Sequence, residues 1–338
     1  MDRFLAYIVE VSENIVGTFT RDSSFLSLWP MLFAGLLAVF ILTRRLRQRS
    51  EARGRTARVS LKLLRRVLFP KWLLTHASSK MDGCIFIINH MLIVFGLFAA
   101  FLTPFVFAES FAALVNATGL TETKHTAGWG ERLAFTAVMV LAWDFSASYG
   151  HYLKHRIPVF WEFHKVHHSA EVMTPLTALR RHPMEIVLSV LLGGTVMGAC
   201  IALWHLFVGH GVEIMTIFGA WGGIYLWRLL GYNLRHSHVW VSYGDVWNRI
   251  LISPAQHQIH HSRDPKHHDT NFGHIFSFWD HLFGTLYLPQ EQERVTFGIE
   301  TEDAEDFTTL QGVYLSPFVK SWAMLTRKIK RAAPSTTP

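Results

Sequence analysis

Five long apolar stretches alternate with polar segments along this chain. Three of them cover residues 25–43, 83–107 and 133–150, and the last two, 184–208 and 212–231, are separated by only three residues. A helix of about 20 apolar residues is long enough to cross the hydrocarbon core of a bilayer. The pattern therefore predicts an all-α membrane protein, a helical transmembrane bundle of about five spans.

The first apolar stretch is expected to be a retained helix. The residues before it, 1–24, carry charges of both signs, which is too long and too mixed a segment for the start of a signal peptide. No small-residue cleavage site follows the stretch. We therefore count it among the spans.

Positive charge is concentrated in one segment, which sets the expected orientation. Residues 44–82 carry about a dozen Lys and Arg side chains against two acids, and short loops this basic stay in the cytoplasm. Following the chain from there places the N-terminus outside and both 151–182 and 232–338 in the cytoplasm. Because the basic segment lies between two spans, we interpret it as a topological signal that faces lipid and expect no nucleic-acid partner.

Composition supports the membrane assignment and narrows the chemistry. Hydrophobic residues make up 50% of the chain and charged residues only 17%, whereas a soluble domain has about 25% charged residues. The two cysteines, Cys84 and Cys200, provide no disulfide framework, CxxC zinc site or CxxCH haem site. Histidine, with 20 residues, is the abundant metal-binding side chain.

Three short motifs gather eight of these histidines. They are HYLKH (His151, His155), HKVHH (His164, His167, His168) and HQIHH (His257, His260, His261). On a helix, positions i, i+3 and i+4 lie on one face, so each motif aims two or three imidazoles in one direction. Pro158 separates the first two motifs, and Pro254 suits the first turn of a helix that carries the third.

Eight convergent imidazoles are more than one metal ion binds. A first-row metal takes at most about six ligands, so the motifs imply two ions. His236 and His238, in LRHSHVW, raise the number of available rings to ten. Calcium or magnesium would require oxygen ligands, whereas imidazole suits iron, zinc, copper or nickel. The residues alone leave the choice among these metals open.

The segment that carries the motifs resembles the fatty acid hydroxylase / sterol desaturase superfamily of integral-membrane di-iron oxygenases. The resemblance covers roughly residues 139–289 and includes the three histidine boxes in order, an RRHP turn (180–183), an NFG element (271–273) and a WDxxFGT element (279–285). It implies a membrane bundle with a cytoplasmic helical cap that holds a histidine-rich di-metal site. It also implies two iron ions as cofactors and O2 as a co-substrate in the oxidation of a lipid.

The resemblance assigns the metal ligands to the boxed histidines and to one ring between the second and third boxes. These are His151, His155, His164, His167, His168, His236, His257, His260 and His261. Where many members have an asparagine this chain has His238, and both this residue and His182 of the RRHP turn are further candidates. His267 and His268 are not expected to be ligands, and their role stays open.

Several polar residues are candidates for supporting the ligands. Metal-bound histidines usually donate their second N–H to a carboxylate or a carbonyl. Asp144 lies seven residues before His151, about two helical turns away on the same face, and a charge inside a span is a sign of function. Further candidates for this supporting role are Asp269, Asn271 and Asp280. Arg180 and Arg181 are expected to contact a lipid head group or a helix end.

The expected function is hydroxylation of an unactivated C–H bond in a membrane lipid, such as a fatty acyl chain or a sterol. The required electrons must come from a separate donor, such as a ferredoxin or a b5-type cytochrome with its reductase, because the sequence contains no GxGxxG, haem or Fe–S motif. A lipid desaturase or an ether-lipid oxygenase would use the same motifs. A non-enzymatic metal-binding or metal-transport membrane protein is the more distant alternative.

The expected domain organisation follows the spans. Residues 1–82 form an N-terminal span and a basic loop, 83–289 the membrane-embedded hydroxylase domain, and 290–338 a cytoplasmic tail that ends in a basic amphipathic segment. The expected location is a bacterial inner membrane, with the active site on the cytoplasmic side. The oligomeric state, the lipid substrate and the oxidised carbon stay open.

Overall fold

The computed structural model describes residues 2–21, 26–54, 60–94, 127–209, 212–217, 220–229, 231–289, 291–299 and 304–332, together with positions 113 and 117. Within these residues the chain is mostly helical, with short 3-10 turns and one hairpin of two-residue strands. The helices are α1 (Asp2–Thr20), α2 (Leu28–Glu51), α3 (Leu61–Leu68), α4 (Lys71–Thr75), α5 (Ala77–Val94), α6 (Trp129–Arg156), α7 (Pro158–His168), α8 (Pro183–Val208), α9 (Gly222–Leu229), α10 (Gly244–Trp247), α11 (Pro254–His260), α12 (Phe278–Phe283) and α13 (Leu310–Ala332). The strands are β1 (Thr216–Ile217) and β2 (Ala220–Trp221).

Three helices in the described part of the chain are long and apolar enough to cross a membrane. They are α2, α6 and α8, with 24, 28 and 26 residues, and they coincide with the first, third and fourth apolar stretches. Helix α5 covers the beginning of the second stretch, and positions 95–107 of that stretch lie outside the described residues. The prediction of a helical membrane protein is confirmed at this level, whereas the number of five spans is not.

The fifth apolar stretch does not form the long helix that its hydropathy predicts. Residues 212–215 are irregular, Thr216–Ile217 pairs with Ala220–Trp221 as two short strands, and α9 has eight residues, about 12 Å of helix against the 30 Å of a bilayer core. Thr216 and Ile217 favour extended backbone, and the Gly222–Gly223 pair lowers helix propensity. The tight helical hairpin predicted for 184–231 is therefore wrong.

The same segment nevertheless returns along α6 toward the histidine motifs. The amide of Met215 donates to Oγ1 of Thr136 (2.8 Å), and Ile224 and Trp227 pack in one apolar cluster with Val140. The chain then reaches the LRHSH segment. The segment thus runs back along α6 without the predicted long helix, and its crossing of the membrane stays a prediction.

Two prolines and a histidine cap shape the polar end shared by α6 and α8. Helix α6 ends at Arg156, and Pro158 starts α7 in a new direction because proline fits the first turn of a helix but not its interior. Pro183 starts α8, where Nδ1 of His182 accepts a hydrogen bond from the amide of Met184 (3.0 Å). Helices α6 and α8 then pack against each other.

The third histidine motif lies on a short buried helix with a strong N-terminal cap. Ser253 and Gln256 form a reciprocal capping box at the start of α11, and Pro254 occupies its first turn as expected. Every residue of this helix is buried. Its approach is anchored by Ile252, which packs with Ile275 in the cluster that also contains Val140.

The C-terminal helix α13 packs against the helix that carries the second histidine motif. The ring of Phe318 contacts Phe163 of α7 (centroids 5.2 Å apart) and His182 (5.2 Å). Val313 joins Val166 in a small buried cluster. The predicted amphipathic tail is thus helical, and it packs on the helix that carries HKVHH.

Candidate metal centre

Nine histidines from three helices and one turn converge into two groups. The first group contains His151, His155, His164, His168 and His260, and the second contains His167, His236, His257 and His261. Within each group one ring nitrogen from every member lies within 4.8 Å of the others. All nine principal candidates from the sequence are therefore brought together, while their role as metal ligands stays a prediction.

The two groups are adjacent, and each contains rings from more than one motif. The imidazoles of His168 and His261, one from each group, are stacked with centroids 4.5 Å apart. The third motif contributes His260 to the first group and His257 and His261 to the second. The second motif likewise contributes His164 and His168 to the first group and His167 to the second.

Backbone carbonyls fix the orientation of three rings. The Nδ1 atoms face the carbonyls of Phe272 for His151 (3.1 Å), Arg180 for His167 (3.2 Å) and Thr270 for His260 (2.7 Å). A carbonyl only accepts, so Nδ1 carries the proton and Nε2 presents its lone pair to the group. This is the arrangement by which proteins orient metal-binding histidines.

Burial keeps the rings neutral. It holds the pKa well below the usual range for His164, His168, His236, His257, His260 and His261. It also lowers the pKa of His167 to about 4. A neutral imidazole has one N–H and one lone pair, which is the form that binds a metal ion.

The pair His151 and His164 shows why a cation fits between these rings. His151 donates from Nδ1 to a carbonyl, and Nδ1 of His164 lies 3.3 Å from Oε1 of Glu185, although without the alignment of a full hydrogen bond. Nε2 of His151 is then unprotonated, and it lies 3.1 Å from Nε2 of His164. Two nitrogens bound at 2.0–2.1 Å to one tetrahedral ion, as in zinc sites, would lie about 3.3 Å apart.

His155 points to the same conclusion. Its Nε2 atom is buried and has no hydrogen-bond partner among the described residues. A buried polar atom without a partner is costly unless it meets a ligand. The donor set of the first group therefore fits a bound transition-metal ion.

His257 differs from the other rings. The Nη2 atom of Arg235 lies 2.7 Å from its Nδ1, and a guanidinium only donates, so Nδ1 accepts here. The Nε2 atom lies 3.0 Å from Nε2 of His236 and 3.1 Å from Nε2 of His261. A neutral His257 then carries its proton on Nε2, and metal binding at that atom requires the proton to leave.

For Asp144 and Asp280, the expected carboxylate support acts through the backbone and not on the rings. Asp280 accepts hydrogen bonds from the amides of Phe272 (2.6 Å) and Gly273 (2.8 Å), next to the carbonyl that His151 contacts. Asp144 accepts from the amides of Ile275 and Phe276 and from the indole of Trp279. Both aspartates hold the 270–280 segment in place, which corrects the expectation that Asp144 meets His151 directly.

Asn271 and Asp269 hold the tight turn of this segment. Both have φ of +57°, a left-handed conformation that Asn and Asp tolerate better than most residues. The buried side chain of Asn271 accepts from the amide of Tyr287 (2.8 Å) and donates to the carbonyl of Gln256 (3.2 Å). Asp269 lies 3.7 Å from Nδ1 of His155 and 3.2 Å from Arg156.

The side chains of three further candidates have partners outside both groups. His182 caps α8 and its Nε2 faces the carbonyl of Tyr314, and Nε2 of His238 faces the carbonyl of Val67 (2.7 Å). Arg180 is only 2% exposed and donates to the carbonyl of Val166 and the carboxylate of Asp82. The two histidines are therefore occupied elsewhere, and Arg180 ties α7 to α5 instead of facing lipid.

Two charged residues near the rings were not expected from the sequence. Glu185, in the first turn of α8, pairs with Lys154 (2.9 Å) and Arg181 (3.1 Å) and lies beside His164. Arg235, adjacent to His236, donates to the carbonyls of His274 and Gly273 as well as to His257. The available signals were an acid at the start of an apolar span and an arginine next to a predicted ligand.

A cavity of about 720 Å³ lies between α6 and α8 and reaches both histidine groups. His151 and His164 of the first group and His167, His236 and His257 of the second line it. Glu185 and Arg181 line the same end, and Met139, Met197 and Ile201 line the far end. This volume is within the range of small-molecule sites, about 300–1,000 Å³.

The structure thus contains a buried cluster of imidazoles that could hold metal ions, at the end of candidate membrane spans and beside an apolar cavity. Residues 136–285 match the family model described as fatty acid hydroxylase. The resemblance drawn from the histidine boxes is confirmed, as is the prediction of an oxidoreductase domain.

The chain is also similar to curated lipid enzymes. It is 27% identical to the alkylglycerol monooxygenase of Xenopus tropicalis over 56% of this chain and 37% of that protein. It is 28% identical to an ornithine lipid hydroxylase of Rhizobium tropici over 54% of this chain and 52% of that protein. The match thus spans about a third to a half of the length of these relatives. No solved structure matches the chain.

Proposed function

We propose that the protein is a membrane-bound lipid hydroxylase with two iron ions in its histidine groups. The reaction inserts one oxygen atom of O2 into a C–H bond, and two electrons and two protons reduce the other atom to water. The observation that carries this proposal is the opening of both groups of neutral imidazoles into one apolar cavity between candidate spans.

Iron is the metal that this donor set favours for such a reaction. The first group offers five imidazoles and the second four, which leaves coordination positions for O2, and imidazole ligation suits iron. When bound, the iron supplies the O2 activation that protein side chains lack. The chain itself holds the rings through the carbonyls of Phe272, Arg180 and Thr270 and surrounds the reacting carbon with apolar walls.

Arg181 is the proposed contact for the polar end of the lipid. It lines the cavity, and its side chain is 31% exposed, whereas those of Lys154 and Glu185 are 11% and 2% exposed. A partly exposed guanidinium at the end of a span can bind a phosphate or a carboxylate. Arg180 is buried and takes no part in this role.

The proposed topology keeps the basic 44–82 segment and the histidine groups on the cytoplasmic side of a bacterial inner membrane. Residues 83–289 would then be the hydroxylase domain, with 1–82 and 290–338 as the flanking regions. Electrons would come from a separate ferredoxin or b5-type cytochrome, because the sequence contains no redox motif of its own. A metal transporter would need its ligands near the middle of the spans, and the first group instead lies at the end of α6.

Ether-lipid oxidation is a second candidate because a relative is named alkylglycerol monooxygenase. The same centre would then hydroxylate the carbon next to the ether oxygen. A desaturase would instead remove two hydrogens and add no oxygen. Product masses separate these cases.

The test compares lipids and metal content between variants expressed in an iron-replete host. We expect His260→Ala to lose the lipid species that is heavier by one oxygen atom and to lose bound iron. His268→Ala is the matched control, since His268 is exposed and belongs to neither group. Iron in the wild-type protein without any oxidised or unsaturated lipid would rule the proposal out.

A further inference from the structure

The cavity follows one face of each of two candidate spans. On α6 it is lined at positions 139, 143, 146, 147, 150, 151 and 154, and on α8 at positions 185, 189, 190, 193, 194, 197, 198 and 201. Spacings of three and four residues keep the lining on a single helical face. From Glu185 to Ile201 this face extends over roughly 24 Å of helix.

The cavity is elongated. Its lining follows α8 over roughly 24 Å, and its volume is about 720 Å³. This shape suits an extended hydrocarbon chain. The α8 face leaves space for such a chain because glycine occupies positions 193, 194 and 198. A Cβ added at Gly193 would meet only Oγ of Ser146, at 3.8 Å.

Polarity changes along the cavity in the direction of the spans. Lys154, Arg181 and Glu185 line one end, together with the histidines of both groups, and Met139 and Ile201 line the other. In a bilayer the polar end of a lipid lies at the interface and its chain lies in the hydrocarbon core. The charged residues at the ends of α6 and α8 therefore mark the interface side of the cavity.

We propose that the cavity takes a single unbranched chain of an amphiphile, with its polar group at Arg181 and its chain end toward Ile201. The oxidised carbon is then one of the first few carbons from the polar group, because the histidines lie at that end. Ile201 and Met139 line the far end, and in this proposal they set the longest chain that is accepted. This inference rests on the proposed lipid hydroxylase and adds the substrate class, the position of oxidation and the length limit.

The geometry argues against oxidation at the chain terminus. That reaction would require the terminus to lie among the charged residues and the polar group to lie roughly 24 Å along α8, in the apolar end. This exclusion follows from the position of the histidine groups along the cavity.

The experiment uses the purified full-length protein with its metal, a chemical or enzymatic electron source and two probe series. These are 1-O-alkylglycerols and free fatty acids of graded chain length, and the products are located by tandem mass spectrometry. We expect Ile201→Trp to lower kcat/KM for the longest accepted chains by about tenfold or more while the shortest chains react as before. Ile201→Ala should accept longer chains, and its smaller side chain is easier to accommodate in the fold.

Leu203→Trp is the matched control, because Leu203 lies on the same helix, is 51% exposed and does not line the cavity. An unchanged length limit in both Ile201 variants, or oxidation at the chain terminus, would overturn the inference. A wild-type protein that oxidises neither series but oxidises a sterol would also overturn it while leaving the hydroxylase proposal intact. No oxidation of any lipid would instead count against the proposed function.

Discussion

Asp144, inside the candidate span α6, accepts a hydrogen bond from the backbone amide of Ile275, 131 residues further along the chain, at 2.6 Å. The same carboxylate accepts from the amide of Phe276 (3.1 Å) and the indole of Trp279 (2.7 Å). This one side chain therefore joins a membrane span to the segment whose carbonyls orient His151 and His260.

Asp144→Asn is expected to lower both stability and metal content. An asparagine amide would point its NH2 group at a donor that now meets an oxygen, and one buried donor left without an acceptor costs about 1–3 kcal/mol. Thermal unfolding and iron per chain would be measured together. Asp245→Asn is the control, since Asp245 is exposed in α10; equal behaviour of the two variants would contradict this role of Asp144.

Stability is expected to fall as the pH drops below about 6.5, the usual pKa of histidine. Burial lowers the pKa of seven rings outside the spans, so below pH 6.5 the unfolded chain binds protons that the folded chain does not. Each such ring contributes a loss of about 1.4 kcal/mol per pH unit. Asp280 acts in the opposite direction, because burial raises its pKa to about 6 and its contribution decreases as the pH rises.

The measurement is denaturant unfolding of the metal-free protein at several pH values between about 5 and 8, in the same detergent. A variant with two rings removed, His164→Ala with His257→Ala, should show a shallower dependence on pH. A stability that does not change from pH 7 to pH 5 would contradict neutral, buried imidazoles.

The helical membrane character and the shared face of the rings within each histidine motif were predictable because both depend on local spacing. The set of nine histidines was implied by the family resemblance. An apolar stretch of span length predicts a membrane helix, and an i, i+3, i+4 motif places its residues on one helical face. Both hold whatever the tertiary structure around them. The partner of Asp144 was not predictable. The spacing between Asp144 and His151 can be read from the local sequence, but the contact between Asp144 and Ile275, 131 residues further along the chain, depends on tertiary packing. Hydropathy also predicted a fifth span over 212–231, where Gly222, Gly223 and extended-favouring residues gave a hairpin and a short helix.

Glu185 was missed for the same reason. Its partner Lys154 lies on the antiparallel helix, and only the packing of α6 against α8 brings the two side chains to 2.9 Å. The acid by itself has the appearance of an ordinary residue in the first turn of a helix.

Glu185→Gln is expected to destabilise the protein by roughly 3–5 kcal/mol, because it leaves Lys154 and Arg181 without their shared, buried counter-charge. The double variant with Lys154→Met should recover part of this loss, since it removes one of the two uncompensated cations. A double-mutant cycle on unfolding free energy measures the coupling. Additive effects of the two substitutions would show that the pair does not interact.

Arg180 and Arg181 are adjacent in the sequence, and their substitution is expected to have different consequences. Arg180→Ala removes hydrogen bonds to the carbonyl of Val166 and to Asp82 and leaves that carboxylate buried without its cation. We expect a loss of stability of several kcal/mol and a loss of metal, with no selectivity among lipids.

Arg181→Gln should instead raise KM for lipids with an anionic head group by about tenfold or more, because a charge-assisted contact contributes about 1.5–3 kcal/mol. Neutral lipids of the same chain length should react nearly as before, and Arg181→Lys should restore part of the difference because it keeps the charge. The measurement is KM and kcat for matched anionic and neutral lipids in the wild type and the three variants. If Arg181→Gln impairs both lipid classes equally and lowers thermal stability as much as Arg180→Ala, then Arg181 acts through Glu185 and not on the head group.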